Sequence, residues 1–171
     1  RYTFSGFTIR GGFVDVAPRN GGGILAAPDT ATDQATLAMT DMTVTGNEVV
    51  RGGANPALGG GVWMGRGTLD VADSRIAANT LSGNGSDFAG AGLYIHDTTA
   101  TLTRVSVTGN RMPEGTGVGV RVRAGTTTMS DVTIDDNRAT TPSGPQSFGG
   151  GLAIGTGAGT AATVNAERTT L

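Results

Sequence analysis

The segment Gly90–Asn110 reads GAGLYIHDTTATLTRVSVTGN, and both of its ends recur along the chain. A glycine-rich start followed by an apolar residue recurs at Gly21-Gly22-Gly23-Ile24, Gly59-Gly60-Gly61-Val62, Gly90-Ala91-Gly92-Leu93, Gly117-Val118-Gly119-Val120 and Gly149-Gly150-Gly151-Leu152. A β-branched residue followed three positions later by asparagine recurs at Val44/Asn47, Ile76/Asn79, Val107/Asn110 and Ile134/Asn137. Because a fixed internal period decides the whole architecture, these two motifs define the repeat.

The distance between the two motifs is constant, whereas the path from one repeat to the next varies. In three repeats the asparagine lies 18 positions after the last glycine of the start: Gly61 to Asn79, Gly92 to Asn110 and Gly119 to Asn137. From an asparagine to the last glycine of the next start there are 9 to 14 residues, so insertions gather at one corner. Further insertions lie around Ala27-Pro28-Asp29-Thr30 and in Gly155-Thr156-Gly157-Ala158-Gly159.

Composition and patterning favour short β-strands. Glycine supplies 30 of the 171 residues and threonine 27; glycine is unfavourable inside helices, and threonine favours strands or turns. Apolar residues alternate with polar ones inside the repeat, as expected for strands. Because a unit of about 30 residues cannot bury a face alone, the repeats must stack, with successive strands pairing in parallel. We therefore predict an all-β fold, a single-stranded parallel β-helix (β-solenoid) of about five coils, starting near Gly21, Gly59, Gly90, Gly117 and Gly149.

Features of the whole chain limit its organisation and partners. We expect residues 1–171 to form one β-helix segment that is incomplete at both ends, because the chain begins and ends inside repeating units. All 12 basic residues are arginines, dispersed along a chain of net charge -2, which argues against a nucleic-acid partner. The absence of cysteine excludes disulfides and thiolate metal sites. No apolar run approaches the roughly 18 residues of a membrane span, so we expect membrane contact only through other parts of a parent chain.

The two motifs together resemble the repeats of polymorphic outer-membrane proteins and of autotransporter passenger domains, within the pectate-lyase-like (pectin lyase fold) class. The resemblance covers residues 4–171. It implies a right-handed β-helix, an extracellular or bacterial cell-surface setting associated with the outer membrane, and adhesive contact with carbohydrate or with a host or cell-surface protein. Ile, Val or Leu stands where the outer-membrane family favours phenylalanine before x-x-Asn.

Two columns of equivalent residues are interpreted as structural ladders. Asparagine tolerates the left-handed turn conformation, and its amide can bond along a stack, so one ladder is expected at Asn47, Asn79, Asn110 and Asn137. The residue three positions before each β-branched anchor, and before Leu171 that closes the series, is charged, and the signs mostly alternate. Opposite charges on neighbouring strands attract, and calcium would not tolerate arginines between its carboxylates. The column consists of Asp41, Asp73, Arg104, Asp131 and Arg168, and a surface ion-pair ladder is expected at Asp73, Arg104, Asp131 and Arg168.

A third column indicates a binding surface. If the apolar residue after each glycine start points inward, the next residue points outward, which gives Leu25, Trp63, Tyr94, Arg121 and Ala153. Two positions further on, His96 and Arg123 share that face with Gly65 and Gly155. Aromatic faces and guanidinium donors bind sugars or carboxylated polymers. We therefore predict a glycan-binding strip made of Trp63, Tyr94, His96, Arg121 and Arg123. The alternative left open is that Trp63 and Tyr94 are covered by the long loops or pack on each other.

The first functional hypothesis is a non-enzymatic adhesion module that needs no cofactor and no metal. The alternative is a polysaccharide lyase or glycoside hydrolase of the pectate-lyase-like class, with bound Ca²⁺ as its only expected cofactor. Its residues would be Arg121 or Arg123 as base or carboxylate clamp, and Asp97, Asp135 or Asp136 as acid or metal ligand. The Asp135-Asp136 pair lies on one short turn, and neighbours there rarely converge on one bond. A third possibility, an ice-binding threonine face, is disfavoured by the loops of unequal length and by Trp63 and Arg121.

Overall fold

The structure is a computed structural model that describes residues 1–15, 20–28, 32–52, 55–84, 87–141, 149–155 and 161–171. Within these ranges every regular element is a β-strand, in keeping with the predicted all-β class. The strands in chain order are β1 (Tyr2–Ser5), β2 (Thr8–Arg10), β3 (Phe13–Val14), β4 (Ile24–Ala26), β5 (Ala35–Thr40), β6 (Thr43–Thr45), β7 (Glu48–Arg51), β8 (Ala57–Leu58), β9 (Val62–Ala72), β10 (Arg75–Ala77), β11 (Thr80–Gly83), β12 (Phe88–Ala89), β13 (Leu93–Thr103), β14 (Ser106–Thr108), β15 (Arg111–Met112), β16 (Val120–Val122), β17 (Gly125–Ser130), β18 (Thr133–Asp135), β19 (Arg138–Ala139), β20 (Leu152–Ile154) and β21 (Ala162–Glu167). The inserted residues Asp29, Thr30 and 156–159 lie outside the described ranges.

The described strands form four parallel sheets; the repeats pass through sheets A, B and C in the same order, and two of them also contribute a strand to sheet D. Sheet A contains β1, β4, β5, β9, β13, β16, β17, β20 and β21. Sheet B contains β2, β6, β10, β14 and β18, sheet C contains β3, β7, β11, β15 and β19, and sheet D contains β8 and β12. The repeat that begins at β9 passes through sheets A, B, C and D before the chain returns to sheet A at β13. Equivalent residues of successive repeats therefore lie side by side, as the constant spacing of the motifs predicts.

Left-handed residues make the corners between the sheets. Between sheets A and B they form one column with φ from 46° to 57°: Asp41, Asp73, Arg104, Asp131 and Arg168. The first glycine of each start has φ between 60° and 68° at Gly21, Gly59, Gly90, Gly117 and Gly149. A Cβ on Gly90 would lie 2.6 Å from the Leu93 carbonyl oxygen, so both the backbone conformation and the space require glycine there.

The inward-pointing residues of the strands form the core. In β5 the pattern of burial alternates, and Leu37 and Met39 are only 1% exposed. The register continues these two columns through Leu69 and Val71 in β9. Burying each such side chain contributes about 1.5–3 kcal/mol. A second, smaller cluster around Val49, Leu81 and Phe88 fills the space beside sheet C.

The asparagines lie in one column, and their amides join four repeats. The backbone N–H and Nδ2–H of Asn47 both donate to Oδ1 of Asn79, at 3.1 and 2.9 Å. Asn79 bonds in the same way to Asn110, and Asn110 to Asn137. The Nδ2 of Asn79 also donates to the Val44 carbonyl at 3.0 Å. Because Asn79 and Asn110 are 0% exposed, these bonds satisfy groups that would be costly to bury unpaired.

Candidate functional site

The outer face of the first half of sheet A carries the predicted strip. Strand register places Leu25, Trp63, Tyr94, Arg121 and Ala153 side by side, one from each of five strands. His96 lies beside Gly65 on the same face, and the backbone N–H of Arg123 donates to the Ile95 carbonyl at 2.9 Å. The column derived from the sequence is therefore present in the structure.

Trp63 and Tyr94 stack on each other, which is one of the arrangements that the sequence left open for the strip. Their ring centroids lie 6.4 Å apart with an interplanar angle of 5°, and His96 meets Tyr94 edge-on at 6.4 Å. Tyr94 is only 3% exposed, so the expectation that it forms part of an exposed strip is wrong. Its ring is covered because it is packed in the column between the side chains of neighbouring repeats. Trp63, His96 and Arg121 are half-buried, and Arg123 is exposed.

Two glycines allow large side chains to lie flat on the sheet. A Cβ on Gly65 would lie 2.2 Å from Cη2 of Trp63, so the indole covers that residue. A Cβ on Gly155 would lie 3.0 Å from Nη2 of Arg121, so the guanidinium lies against its backbone. The indole and the guanidinium therefore both lie over glycines on this outer face. Planar groups of this kind can stack on a flat ligand.

The polar atoms of this surface are incompletely paired. The Nε1–H of Trp63 is shielded and has no acceptor among the described residues. Neither Arg121 nor Arg123 forms an ion pair with a described carboxylate. Asp97 lies 3.7 Å from Nε of Arg66, so the acid closest in sequence to His96 is engaged by a third arginine.

Burial and neighbouring arginines shift the titration of two groups. Partial burial, together with the nearby Arg123, lowers the pKa of Arg121 although Tyr94 opposes the shift. Burial also lowers the pKa of His96, again reinforced by Arg123 and partly offset by Asp97. Since the pKa of His96 falls below its usual 6.5, its imidazole is mostly neutral at pH 7. The positive charge of the site therefore resides on its arginines.

Of the residues named for an enzyme, the Asp135–Asp136 pair lies apart from Arg121 and Arg123. Asp135 ends β18 in sheet B, whereas Arg121 lies in β16 of sheet A. The Asp136 carboxylate contacts Nε of Arg138 at 2.8 Å and Nη2 of Arg111 at 3.6 Å. Its backbone N–H donates to Oδ1 of Asp135 at 2.7 Å. The two acids thus belong to a solvated corner whose charges are locally paired.

The charged column forms the ion pairs expected from its alternating signs. Arg104 binds Asp73 through two hydrogen bonds, 2.5 Å from Nε and 2.8 Å from Nη2. Arg168 binds Asp131 through bonds of 2.5 and 3.0 Å. The hydrogen bond from Arg104 lowers the pKa of Asp73, and Arg168 does the same for Asp131. An open groove of about 470 Å³ runs along this corner, and the ladder forms part of its lining.

A uniform threonine column was missed in the sequence reasoning. It lies on the outer face of the second half of sheet A, where strand register aligns Thr36, Thr68, Thr99, Thr126 and Thr163. The side chains of Thr99, Thr126 and Thr163 are exposed. The signal was available, because each of these threonines lies five residues before a member of the charged column.

The described ranges contain no group of three or more His, Asp or Glu residues arranged to hold a metal ion. In the same ranges, no helix has the length and apolar character needed to cross a membrane. Comparisons with protein-family models, with curated proteins and with solved structures found no match to this chain. The likeness to outer-membrane repeats therefore rests on the two sequence motifs alone.

Proposed function

We propose that this chain is a segment of a right-handed parallel β-helix that acts as a non-enzymatic adhesion module on the bacterial cell surface or in secreted form. Its contact site is the outer face around Trp63, with His96, Arg121 and Arg123, and its partner is a glycan. The observation that carries the proposal is the parallel stacking of Trp63 on Tyr94 beside two arginines that form no ion pair with a described carboxylate. The activity needs no cofactor.

The stack supports carbohydrate contact for a physical reason. An indole held parallel to a second ring is a rigid apolar platform, and sugars present apolar C–H faces together with hydroxyl groups. Tyr94, being buried, supports the platform, while the half-buried Trp63 keeps an exposed part for contact. Arginine donors at the edge bind oxygen acceptors through charge-assisted hydrogen bonds.

The cell-surface setting is supported by the repeat motifs. A stack of parallel strands is also suited to displaying loops at one corner, because the strands fix the position of each insertion while its length remains free. The four paths from an asparagine to the next glycine start vary from 9 to 14 residues, and two further insertions follow the strip column in sequence.

The test is binding of the purified chain to an array of neutral and acidic glycans, in parallel with Trp63→Ala. Saturable binding that falls at least tenfold in Trp63→Ala is expected. Thr99→Ala is the matched control, because Thr99 lies on the outer face of the same sheet in the other half. Absence of binding to every glycan, or equal loss in both variants, would contradict the proposal.

The same assay separates the binding module from the lyase or hydrolase alternative. Bound polymer is recovered and analysed for shortened chains, with and without added Ca²⁺. A binding module returns the polymer intact under both conditions. Cleavage that is abolished by Arg121→Gln would replace the adhesion proposal by an enzymatic one.

A further inference from the structure

The chemical class of the glycan follows from how arginines are paired in this molecule. On the corners of the structure, arginines meet carboxylates: Arg104 meets Asp73, and Arg168 meets Asp131. On the strip, Arg121 and Arg123 have no such partner among the described residues. Arg1, Arg10 and Arg75 also form no ion pair with a described carboxylate, but their side chains are exposed to water, whereas Arg121 is half-buried.

The lack of a carboxylate partner is energetically costly for Arg121. Its side chain is half-buried and lies against Gly155, with Tyr94 beside it in the column. Arg123 is near enough to oppose its charge. A partly desolvated guanidinium that faces another cation loses hydration without gaining a counter-charge. An external anion would relieve both costs.

The geometry relates this charge to the stacking platform. Trp63, Tyr94 and Arg121 are contributed by three consecutive strands. At about 4.8 Å per strand, Trp63 and Arg121 lie roughly 10 Å apart along the stack. A polymer that follows the column can therefore rest one sugar ring on Trp63 and place an acidic group at Arg121.

We propose that the ligand is an anionic polysaccharide, and that Arg121 and Arg123 are the residues that select it over neutral glycans. This inference rests on the proposed function, because it assumes that the strip contacts a glycan at all. Carboxylates of uronic acids and sulfate esters share the required chemistry, a planar or tetrahedral oxyanion that accepts hydrogen bonds from guanidinium.

The experiment compares polymers that differ only in charge. Polygalacturonate is paired with its fully methyl-esterified form, and dextran sulfate is paired with dextran. The proteins are wild type, Arg121→Gln, Arg123→Gln and Trp63→Ala. The control is Arg75→Gln, which removes an exposed arginine from β10 in sheet B. Urea unfolding of every variant verifies that the fold is retained.

The expected result is about tenfold or greater preference of the wild type for the charged member of at least one pair, in line with the strength of charge-assisted hydrogen bonds. Arg121→Gln and Arg123→Gln reduce that preference and leave the weak binding of the neutral polymer unchanged. Arg75→Gln retains the full preference. A preference seen only with polygalacturonate over its methyl ester identifies carboxylate as the favoured anion. A preference seen only with dextran sulfate over dextran identifies sulfate.

Two results would overturn the inference. If the strip binds charged and neutral polymers equally and Trp63→Ala abolishes both, the glycan-contact proposal stands and the selection of anions is wrong. If Arg75→Gln loses as much affinity as Arg121→Gln, the attraction is a property of total charge and not of the strip. Failure of every polymer to bind would remove the proposed function itself.

Discussion

The two halves of the outer face of sheet A differ in how much they change from repeat to repeat. The second half repeats threonine at Thr68, Thr99 and Thr126, whereas the first half places Trp63, Tyr94 and Arg121 at equivalent positions of the same repeats. A uniform column offers the same surface at every level of the stack. A column that varies creates one location unlike any other, which is what a specific binding site requires.

The buried asparagine column extends this comparison to the interior. There uniformity has a clear cause, since every amide needs the next one to complete its hydrogen bonds. We therefore interpret the buried uniform column as a requirement of stacking, the exposed threonine column as a repeated surface, and the variable column as the place where chemistry is free to change. Four substitutions test this division, beginning with the one that should cost the most stability.

Asn79→Ala should cause the largest loss of stability. It removes the acceptor of two donors on Asn47 and a donor to the Val44 carbonyl, all in a fully buried position. At about 1–3 kcal/mol for each buried group left unpaired, we expect a loss of about 3–5 kcal/mol in the free energy of unfolding, measured by urea titration. Asn137→Ala, at a half-buried position, should cost less because water can replace the amide. Equal and small losses would show that the ladder does not stabilise the stack.

Gly65→Ala should cause an intermediate loss of stability and should also displace a side chain of the strip. The new methyl group would occupy the space of the Trp63 indole, so the ring must move and its stacking on Tyr94 is lost. Aromatic pairs contribute about 0.5–1.5 kcal/mol, and we expect a loss of about 1 kcal/mol with a red shift of tryptophan fluorescence. Unchanged fluorescence would mean that the ring does not lie over Gly65. Gly46→Ala serves as a control glycine with open space around it, although its positive φ of 62° adds backbone strain.

Arg104→Gln should have a smaller effect that depends on pH and salt. Because the pair lowers the pKa of Asp73 below its usual 3.8, its contribution to stability is present above that pH and is lost as the pH falls through the lowered value. The difference in unfolding midpoint between wild type and Arg104→Gln should therefore shrink in acid and at high salt. A difference that grew on acidification would have the wrong sign for this ion pair.

Thr99→Ala should have the smallest effect of the four. Its side chain is exposed in a column of identical neighbours, and exposed substitutions usually change stability by less than about 0.5 kcal/mol. Glycan binding at the strip should be unchanged. A large loss of binding would move the contact site to the threonine half of the sheet and remove the distinction between the two columns.

Much of the fold was predictable because stacking converts sequence spacing into spatial register. The constant 18-residue distance by itself predicts that Trp63, Tyr94 and Arg121 share one column. The burial of Tyr94 was not predictable in this way, since alternation gives the direction of a side chain but not how a neighbouring ring is laid over the surface. Gly65, two residues after Trp63, was the available signal. The pairing of Asp136 with Arg138 and Arg111 was also missed, because it crosses from the corner to sheet C and does not follow a single column.

The amide ladder has a consequence for the mechanics of the chain. Its hydrogen bonds run along the stack, so a force that separates the two ends would load them in series and detach repeats one at a time. Successive asparagines are 32, 31 and 27 residues apart. At about 3.5 Å per extended residue, the extension released by each rupture would fall from about 110 Å to about 95 Å. The order in which the repeats yield could then be read from the lengths of the steps in a single-molecule pulling trace.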